Sequence, residues 1–209
     1  MKTKQLEFWE GDFGDAYAER NRLTPQDITA RGRHLDKIFI ASGIGRNSSI
    51  LEVGANIGLN LKGLRKCGWD GLFYAIEPNK KAYDILISDE DIALTQCNKR
   101  DGFDLPFGEN SIEMVFTCGV LIHVHPDDLF RVCSEIYRVS GEYIGCLEYF
   151  SPEPEEIGYR GYQELLFKRD FGAFYLDHWP NLRLLDYGFL WKRVSGFDNV
   201  TWWLFEKVK

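Results

Sequence analysis

The chain has no basic tract. Its 209 residues include 25 lysines and arginines against 32 aspartates and glutamates, which gives a formal net charge of −7. Proteins that bind duplex DNA or long RNA rely on clustered basic side chains, so no nucleic-acid partner is expected. A small anionic substrate held by a few arginines remains compatible with this charge.

Membrane-spanning runs and secretion signals are also missing. No apolar run is long enough to cross a bilayer, and the first residues, M-K-T-K-Q-L-E-F-W-E, contain no apolar segment of a signal peptide. We therefore expect a cytoplasmic protein that is not attached to a membrane and that acts on a small-molecule substrate. The sequence leaves the oligomeric state open.

The five cysteines lack the spacing of a metal site or a disulfide framework. None forms a C-x-x-C pair, and no group of His, Asp and Glu stands at ligand spacing. No metal dependence is therefore predicted. Cys118 and Cys146 lie in apolar runs, where we expect them to be buried as small hydrophobic side chains.

The phosphate-binding pattern G-x-G-x-x-G is absent, but a related turn is present. The stretch from Ile50 to Gly58 reads I-L-E-V-G-A-N-I-G, and leucines follow it at helical spacing. Strand, glycine turn and helix form the opening unit of a doubly wound α/β sheet, where ligands bind between the strand ends and the helix N-terminus. The lack of a glycine-only cradle favours a nucleoside without phosphates over a nucleotide sugar or a nicotinamide cofactor. The alternative is a turn that serves only strand-to-helix packing.

An acidic residue stands at the end of the next predicted strand. Residues 71–76 form that strand, and Glu77 follows it, nineteen residues after Gly58. In such folds a carboxylate at this position accepts hydrogen bonds from the ribose hydroxyls of an adenosine ligand. The turn and Glu77 together predict a site for S-adenosylmethionine, with the amino group of the ligand near Glu52.

The chain is predicted to form one α/β domain. We expect a Rossmann-like, doubly wound sheet of seven strands, mostly parallel with a C-terminal antiparallel strand, and helices on both faces. The strands are predicted at residues 50–53, 71–76, 92–95, 112–117, 143–147, 182–187 and 201–205, the last two as a hairpin-like pair. Within the single domain 1–209, residues 1–45 form an N-terminal lid and helix, residues 46–150 the cofactor-binding core, and residues 151–209 a substrate-cover excursion and closing strands.

Several motifs resemble those of known enzymes. L-E-V-G-A-N-I-G, A-I-E-P-N, D-L-P-F-x-E-N-S and V-L-I-H are similar to motifs of class I S-adenosylmethionine-dependent methyltransferases. More narrowly, the pseudaminic acid biosynthesis-associated methylases are similar in F-W-x-G-D-F-G-x-x-Y-x-x-R-N, G-V-L-I-H-V-H-P-D-D-L, Y-R-G-Y and L-F-K-R-D-F. This second resemblance runs over nearly the whole chain.

The resemblance implies S-adenosylmethionine as the cofactor and S-adenosylhomocysteine as the product. The expected cofactor-binding residues are Tyr17, Arg20, Glu52, Gly54, Asn56, Gly58, Glu77, Pro78, Asp101, Cys118, Gly119 and Val120. Asp101 is assigned to the adenine amine by its spacing from the L-P-F turn. Asp104 is the competing residue, and an acid in a solvated loop is the alternative for either.

The aromatic N-terminal stretch, residues 1–22, shows no clean helical or strand period. One interpretation is a lid, because aromatic faces attract a sulfonium cation and a closed lid excludes water. In the resembling family this segment would place Tyr17, Arg20 and Asn21 in the pocket. The other interpretation is an arm that only packs against the body.

His123 is the candidate catalytic residue. It follows the fourth predicted strand, at the same sheet edge as Gly54 and Glu77, and histidine titrates near neutrality. It would act as a base or orient the acceptor; the alternative is a histidine that packs under the cofactor. His125 is the second candidate, although its place before Pro126 favours a role at a helix start.

A basic cluster is expected to hold the substrate. The predicted substrate-binding residues are His125, Tyr149, Tyr159, Arg160, Lys168 and Arg169. The three cations would clamp a carboxylate or phosphate on a sugar. Alternatively, they form a solvated charge run that balances Glu153, Glu155 and Glu156.

These observations give three hypotheses for function. The first is an enzyme that methylates a small polar acceptor, and the family resemblance suggests a nonulosonic acid or related surface-glycan sugar, methylated on oxygen. The second uses the same cofactor for another outcome, either N-methylation of a small amine or amino acid or cyclisation of the cofactor to a cyclic amino acid. The third is a cofactor-binding protein without catalysis, for which the lid and His123 would have no purpose.

Overall fold

A seven-stranded sheet forms the centre of the molecule. The computed structural model describes residues 2–41 and 43–208. The strands are β1 (Ile50–Val53), β2 (Phe73–Ile76), β3 (Gln96–Asn98), β4 (Ile112–Cys118), β5 (Ser140–Glu148), β6 (Glu155–Glu156), β7 (Phe167–Lys168), β8 (Leu182–Leu190) and β9 (Val200–Lys207). The main sheet has the order β3-β2-β1-β4-β5-β9-β8, and β6 pairs with β7 in a separate small sheet.

Strand direction in the main sheet follows the prediction. The pairs from β3 to β5 are parallel, whereas β9 runs antiparallel to both of its neighbours, β5 and β8. The predicted fold class, with its closing antiparallel strand, is confirmed. Parallel strands bring their carboxyl ends to one edge, so Val53, Ile76, Cys118 and Glu148 end side by side.

Helices cover both faces of the sheet. They are α1 (Lys4–Glu10), α2 (Asp12–Arg20), α3 (Pro25–Ala41), α4 (Leu59–Lys66), α5 (Lys80–Ser88), α6 (Pro126–Val139), α7 (Phe171–His178) and α8 (Lys192–Ser195), with a 3-10 turn at Leu121–His123. One core packs α3, α4 and α5 against one face, and a second packs α6 and α7 against the other. Within residues 2–41 and 43–208, we find no helix whose length and apolarity would suit a bilayer crossing.

Two helices on one face make backbone contact. A Cβ atom placed on Gly32 of α3 would lie 2.1 Å from the carbonyl oxygen of Gly63 of α4. This approach is possible only because both positions are glycine. It brings the start of α3, including Arg31, against the sheet edge.

The third strand differs from its prediction. It was expected at 92–95, but Gln96, Cys97 and Asn98 pair with β2. The predicted stretch forms a turn instead: the Ile92 amide bonds to the Asp89 carbonyl, and Ala93 has a φ of 49°. Its apolarity reflects a buried turn, since Ile92 is fully buried beneath the glycine turn.

The N-terminal aromatic stretch is helical, although no period was visible in the sequence. Gly11 separates α1 from α2, and Thr3 caps the first helix by accepting from the Leu6 amide. The two short helices pack closely, because a Cβ on Gly14 would lie 1.8 Å from the Trp9 carbonyl oxygen. Any residue with a side chain at position 14 would clash with this oxygen, so the packing requires glycine there.

Candidate active site

The glycine turn after β1 bends through left-handed backbone. Gly54, Asn56 and Gly58 have φ angles of 75°, 49° and 78°. A Cβ on Gly54 would lie 2.5 Å from Cγ2 of Val120, so the turn lies directly against the loop that follows β4. Glycine at position 54 therefore lets two of the predicted cofactor loops meet.

Glu77 is buried at the end of β2, where only 5% of its surface is exposed. Its Oε2 accepts from the Asn56 amide at 2.7 Å, and its Oε1 accepts from the Asn79 amide at 2.8 Å. Burial raises the pKa of this carboxyl to about 7, although the two amide bonds oppose the rise. Each oxygen keeps a second lone pair, which leaves acceptor capacity for ligand hydroxyls.

Glu52 lies inside β1 and is the first member of a chain of side-chain hydrogen bonds. Asn60 Nδ2 donates to its Oε1 at 2.5 Å, and Arg31 Nη1 donates to Oδ1 of Asn60 at 3.0 Å. Arg31 is held in turn by the Gly196 carbonyl oxygen, which accepts from its Nε and Nη2 at 3.1 and 2.9 Å. Burial raises the pKa of Glu52 to about 8 against the effect of the Asn60 bond.

The other oxygen of Glu52, Oε2, is buried without a hydrogen-bond partner among the described residues. Glu52 lines the cavity that also contains Glu77 and the glycine turn. A buried carboxylate oxygen of this kind is costly unless a ligand satisfies it. The ammonium group of S-adenosylmethionine would do so, while its ribose would bond Glu77, so the residues fit this cofactor.

Asp101 lines the cavity at the end of β3, and Asp104 does not. Asp101 Oδ1 accepts from the Phe103 amide at 3.0 Å, which folds the loop around the cavity wall. Asp104 is exposed and faces Arg100 at 3.4 Å. The geometry favours Asp101 of the two candidates for the adenine amine.

His123 is partly buried and lines the same cavity. Its Nδ1 lies 2.6 Å from the Leu165 carbonyl oxygen, which has no proton to give, so Nδ1 carries the hydrogen. Burial lowers the pKa of the ring to about 4, although the bond to Leu165 opposes the shift. At neutral pH, Nε2 is therefore an unprotonated acceptor.

Glu148 fixes the turn that carries His123. This fully buried carboxylate at the end of β5 accepts from the amides of Val120, Leu121 and Ile122 at 3.1, 3.1 and 3.4 Å. Burial raises its pKa to about 7. Three successive amides on one side chain define the path of the loop between β4 and α6.

α1 and α2 pack against residues 151–170 next to His123, and we call these segments together the cover. The ring of Trp9 lies 4.6 Å from that of His123, and Tyr159 lies 5.2 Å from it on another side. The two parts of the cover meet through Phe8 and Tyr162, whose ring centres are 4.9 Å apart. Gln5 adds a hydrogen bond from Nε2 to the Glu164 carbonyl oxygen at 2.8 Å.

Most of the predicted cofactor residues meet in this cavity. Its walls include Tyr17, Glu52, Gly54, Asn56, Glu77, Pro78, Asp101, Cys118, Gly119 and Val120, together with Asn21, His123 and His125. His125 also begins α6, because its Nδ1 accepts from the Asp127 amide at 3.3 Å. This is the helix-start role that its position before Pro126 favoured.

Two predicted cofactor residues lie outside the cavity. Arg20 is exposed, and its guanidinium folds back over the rings of Phe13 and Tyr17 at 4.9 and 5.1 Å. Gly58 faces the core, where a Cβ would come within 2.5 Å of Leu86 and Ile92. Its left-handed backbone shapes the turn, but Gly58 is not part of the cavity wall.

The predicted basic clamp is not assembled. Lys168 faces Glu155 at 3.7 Å, Arg169 packs over Phe174 at 4.7 Å, and Arg160 is exposed beside Tyr159. The Lys168 contact fits the alternative, a charge run balanced by glutamates. Among the predicted substrate tyrosines, Tyr159 borders His123, whereas Tyr149 points to Asp198 with an O–H···O distance of 3.1 Å.

Sequence reasoning missed part of the site. Arg31, Asn60 and Phe103 line the cavity, as do Thr3, Gln5, Leu6 and Trp9 of the N-terminal segment. Arg31 was missed because the sequence predicted only a helix within residues 1–45 and assigned no residue of that helix to the site. Mid-helix glycines at 32 and 63 were the available signal, since they indicate a close helix crossing beside the glycine turn.

Residues 51–142 match the sequence family described as a methyltransferase domain. The chain contains a methyltransferase domain. The matched segment spans the glycine turn, Glu77 and His123. Together with the fold, it confirms the predictions of an S-adenosylmethionine-dependent methyltransferase and of its cofactor. The match does not specify an acceptor, and comparison with curated protein sequences returns no relative.

Solved structures share the fold at low identity. The 1,6-didemethyltoxoflavin-N1-methyltransferase of Burkholderia thailandensis, with 1,6-didemethyltoxoflavin and S-adenosylhomocysteine bound, gives a TM-score of 0.72 at 15% identity, covering 100% of this chain and 92% of that one. The magnesium protoporphyrin IX methyltransferase of Synechocystis PCC 6803, with S-adenosylmethionine bound, gives 0.68 at 13%, covering 99% and 98%. A methyltransferase of Aquifex aeolicus gives 0.67 at 15%, covering 93% and 98%. At these identities the likeness concerns the fold alone.

Proposed function

We propose that this methyltransferase acts on a hydroxyl group of a small polar acceptor, a nonulosonic acid or related surface-glycan sugar, with His123 as the base. The observation that carries the proposal is the state of His123. Its Nδ1–H is held by the Leu165 carbonyl at 2.6 Å, and its pKa is depressed to about 4. With the hydrogen on Nδ1, Nε2 is the unprotonated ring nitrogen to which an acceptor hydroxyl can donate, and it takes the proton as the methyl transfer makes that hydroxyl acidic.

The cofactor would be held by the carboxylates of the sheet edge. S-adenosylmethionine, when bound, supplies the methyl group. Glu77 would accept from its ribose, Glu52 would face its ammonium group through Oε2, and Asp101 would accept from the adenine amine. Arg31 lines the same cavity, where its charge suits the cofactor carboxylate. The protein's further task is to align the acceptor, which can contribute several kcal/mol.

Support for the sugar class comes from the motif resemblance and from the cover. The motifs that resemble the pseudaminic acid-associated methylases fall on α1, α2, the His123 turn and the 151–170 excursion. Of these segments, α1 and the 151–170 excursion contact His123 through the rings of Trp9 and Tyr159. We propose that they act with the core as one unit, and that the aromatic rings with polar tips, Trp9, Tyr17 and Tyr159, line the acceptor space.

Product analysis tests the proposal. The protein is incubated with S-adenosylmethionine and a panel of nonulosonic acids, matched amines and no acceptor, and the products are separated by chromatography. S-adenosylhomocysteine together with an O-methylated sugar is the expected result. Methylthioadenosine without an acceptor would instead indicate cyclisation, and methylation of the amines alone would overturn the choice of oxygen.

A further inference from the structure

Trp9 contains a buried donor that no atom of the described residues satisfies. Its Nε1 is among the buried side-chain nitrogens without a hydrogen-bond partner in the described part of the chain. The backbone of the same residue is well anchored, because its carbonyl oxygen accepts from Asn79 Nδ2 at 3.1 Å. A buried N–H without an acceptor destabilises the protein, so an acceptor atom is expected from a ligand.

The neighbouring ring offers the complementary group. The Trp9 and His123 ring centres are 4.6 Å apart, and both side chains line the cofactor cavity. His123 donates through Nδ1 to Leu165, so its Nε2 is an acceptor, and Nε2 makes no hydrogen bond with residues 2–41 or 43–208. A donor and an acceptor thus belong to two neighbouring rings that line the same cavity.

We propose that Trp9 and His123 hold the acceptor hydroxyl between them. The Trp9 Nε1–H donates to the hydroxyl oxygen, and that hydroxyl donates its hydrogen to Nε2 of His123. This assignment rests on the proposed function. It adds a residue, Trp9, that distinguishes a hydroxyl acceptor from an amine acceptor. Trp9 lies on α1, outside the matched segment 51–142.

The pair selects oxygen over nitrogen. A hydroxyl oxygen has two lone pairs, so one accepts the Trp9 bond while the other remains free to attack. A neutral amine has a single lone pair. If that pair accepts from Trp9, none is left for attack; if it attacks, the buried N–H of Trp9 remains unsatisfied. An amine in this position therefore either lacks a free lone pair for the attack or leaves the Trp9 N–H without an acceptor during the attack.

The proton and the methyl group balance in this arrangement. The methyl carbon forms a bond to the acceptor oxygen as its bond to sulfur breaks, and the bonding pair stays on sulfur in S-adenosylhomocysteine. The hydroxyl proton passes to Nε2 of His123. The positive charge moves from the sulfonium to the imidazolium, whose Nδ1–H stays on the Leu165 carbonyl. No further reactant is needed.

Nuclear magnetic resonance of the ¹⁵N-labelled protein tests the assignment without requiring turnover. The chain has six tryptophans, and the Trp9 indole signal is identified by its loss in Trp9→Phe, with Trp191→Phe as the matched control at an exposed site. The protein is saturated with S-adenosylhomocysteine, and N-acetylneuraminic acid and glycerol are then added as hydroxyl probes. Calorimetry with S-adenosylhomocysteine confirms that each variant is folded.

We expect the Trp9 indole signal to shift when a hydroxyl probe is added to the saturated protein. A signal that moves fully with S-adenosylhomocysteine alone would assign the N–H to the cofactor and overturn the proposal. A signal that responds to neither would overturn it as well. These outcomes are independent of the product analysis, because they require neither methyl transfer nor the correct sugar.

A kinetic measurement sharpens the result for any hydroxyl acceptor found. Trp9→Phe keeps an aromatic ring but removes the N–H together with part of the indole surface that packs against Phe13, Tyr17 and His123. The packing loss is shared by both acceptors, so kcat/KM for the hydroxyl acceptor should fall about tenfold more than for the matched amine, the value of one hydrogen bond. An equal loss for both acceptors would mean that Trp9 contributes packing alone.

Discussion

The cofactor edge of the sheet and the cover above it are built in different ways. At the edge, buried carboxylates bond backbone amides: Glu77 holds Asn56 and Asn79, and Glu148 holds the turn of His123. In the cover, aromatic rings meet one another, as Phe8 meets Tyr162 and Trp9 meets His123. Backbone amides on a buried carboxylate form directional hydrogen bonds, whereas the contacts between rings depend mainly on non-directional burial of apolar surface. The edge is therefore suited to one constant cofactor, and we propose that the cover opens for an acceptor.

The largest expected effect separates binding from chemistry. His123→Ala removes the base, so kcat should fall by about 10²–10⁴-fold, while the affinity for S-adenosylhomocysteine stays unchanged. Steady-state kinetics and calorimetry measure the two quantities. His178→Ala is the matched control, since its ring nitrogen also contacts a backbone carbonyl, at 2.8 Å, but lies outside the cavity. Unchanged turnover would remove His123 as the base.

Glu77→Gln should instead weaken cofactor binding at the sheet edge. The amide can accept from only one of the two backbone donors and offers a poorer partner to ribose hydroxyls, so affinity for S-adenosylhomocysteine should fall by about 10–100-fold. Glu113→Gln is the control, because Glu113 also accepts a backbone amide, that of Ser49 at 2.7 Å, at the opposite end of β4. Equal affinities in the two variants would contradict the role of Glu77.

Glu148→Gln tests whether the edge positions the catalytic turn. Loss of the carboxylate loosens the Val120–Ile122 amides, so kcat should fall about tenfold with cofactor affinity within about twofold. Glu135→Gln is the comparison, since Glu135 accepts the Leu105 amide at 2.8 Å away from His123. If both variants lower the melting temperature but neither changes kcat, Glu148 has a structural role only.

The raised pKa values of the carboxyl groups at the sheet edge predict that the stability of the apo protein depends on pH. Glu52 at about 8 and Glu77 at about 7, against an ordinary 4.5, hold protons in the folded apo protein that the unfolded chain has lost. Their stabilising effect is complete below pH 4.5 and disappears as the pH rises through 7 to 8. We expect the apo melting temperature to fall between about pH 6.5 and 8.5. His123 has the opposite effect on stability. Because its pKa is lowered from 6.5 to about 4, it makes the folded protein less stable as the pH falls through that range.

The same carboxyls should release protons when the ligand binds. An ammonium group at Glu52 and hydroxyl donors at Glu77 favour the ionised carboxylates. Calorimetry with S-adenosylhomocysteine near pH 7, in two buffers of different ionisation enthalpy, measures this release, and Glu77→Gln should reduce it. Proton uptake on binding would contradict the arrangement.

The smallest effect is expected in the basic part of the cover. Lys168→Gln and Arg169→Gln should change kcat/KM by less than about twofold, because Lys168 faces Glu155 and Arg169 packs on Phe174, both outside the cavity. The acceptor kinetics of the two variants measure this. A large increase in KM would restore the basic clamp and show that the cover rearranges on binding.

The sequence predicted the edge better than the cover, for a physical reason. Gly54, Glu52 and Glu77 follow from local rules, since a strand, a left-handed turn and a strand-end carboxylate are each encoded within a few residues. Arg31 reaches the site only through the crossing of Gly32 with Gly63, and Trp9 only through packing against His123. Such contacts depend on where distant segments meet. The same reason explains the Ile92 turn, whose apolarity reflected tertiary burial.

Titration calorimetry of the wild-type protein with S-adenosylhomocysteine, with NAD as a competitor, tests the central claim most directly. The account predicts binding in the micromolar range that NAD does not displace, because the edge offers carboxylates to a ribose and an ammonium group and no phosphate cradle. Absence of binding, or tight binding of NAD, would contradict the assignment of Glu52, Glu77 and the glycine turn to this cofactor.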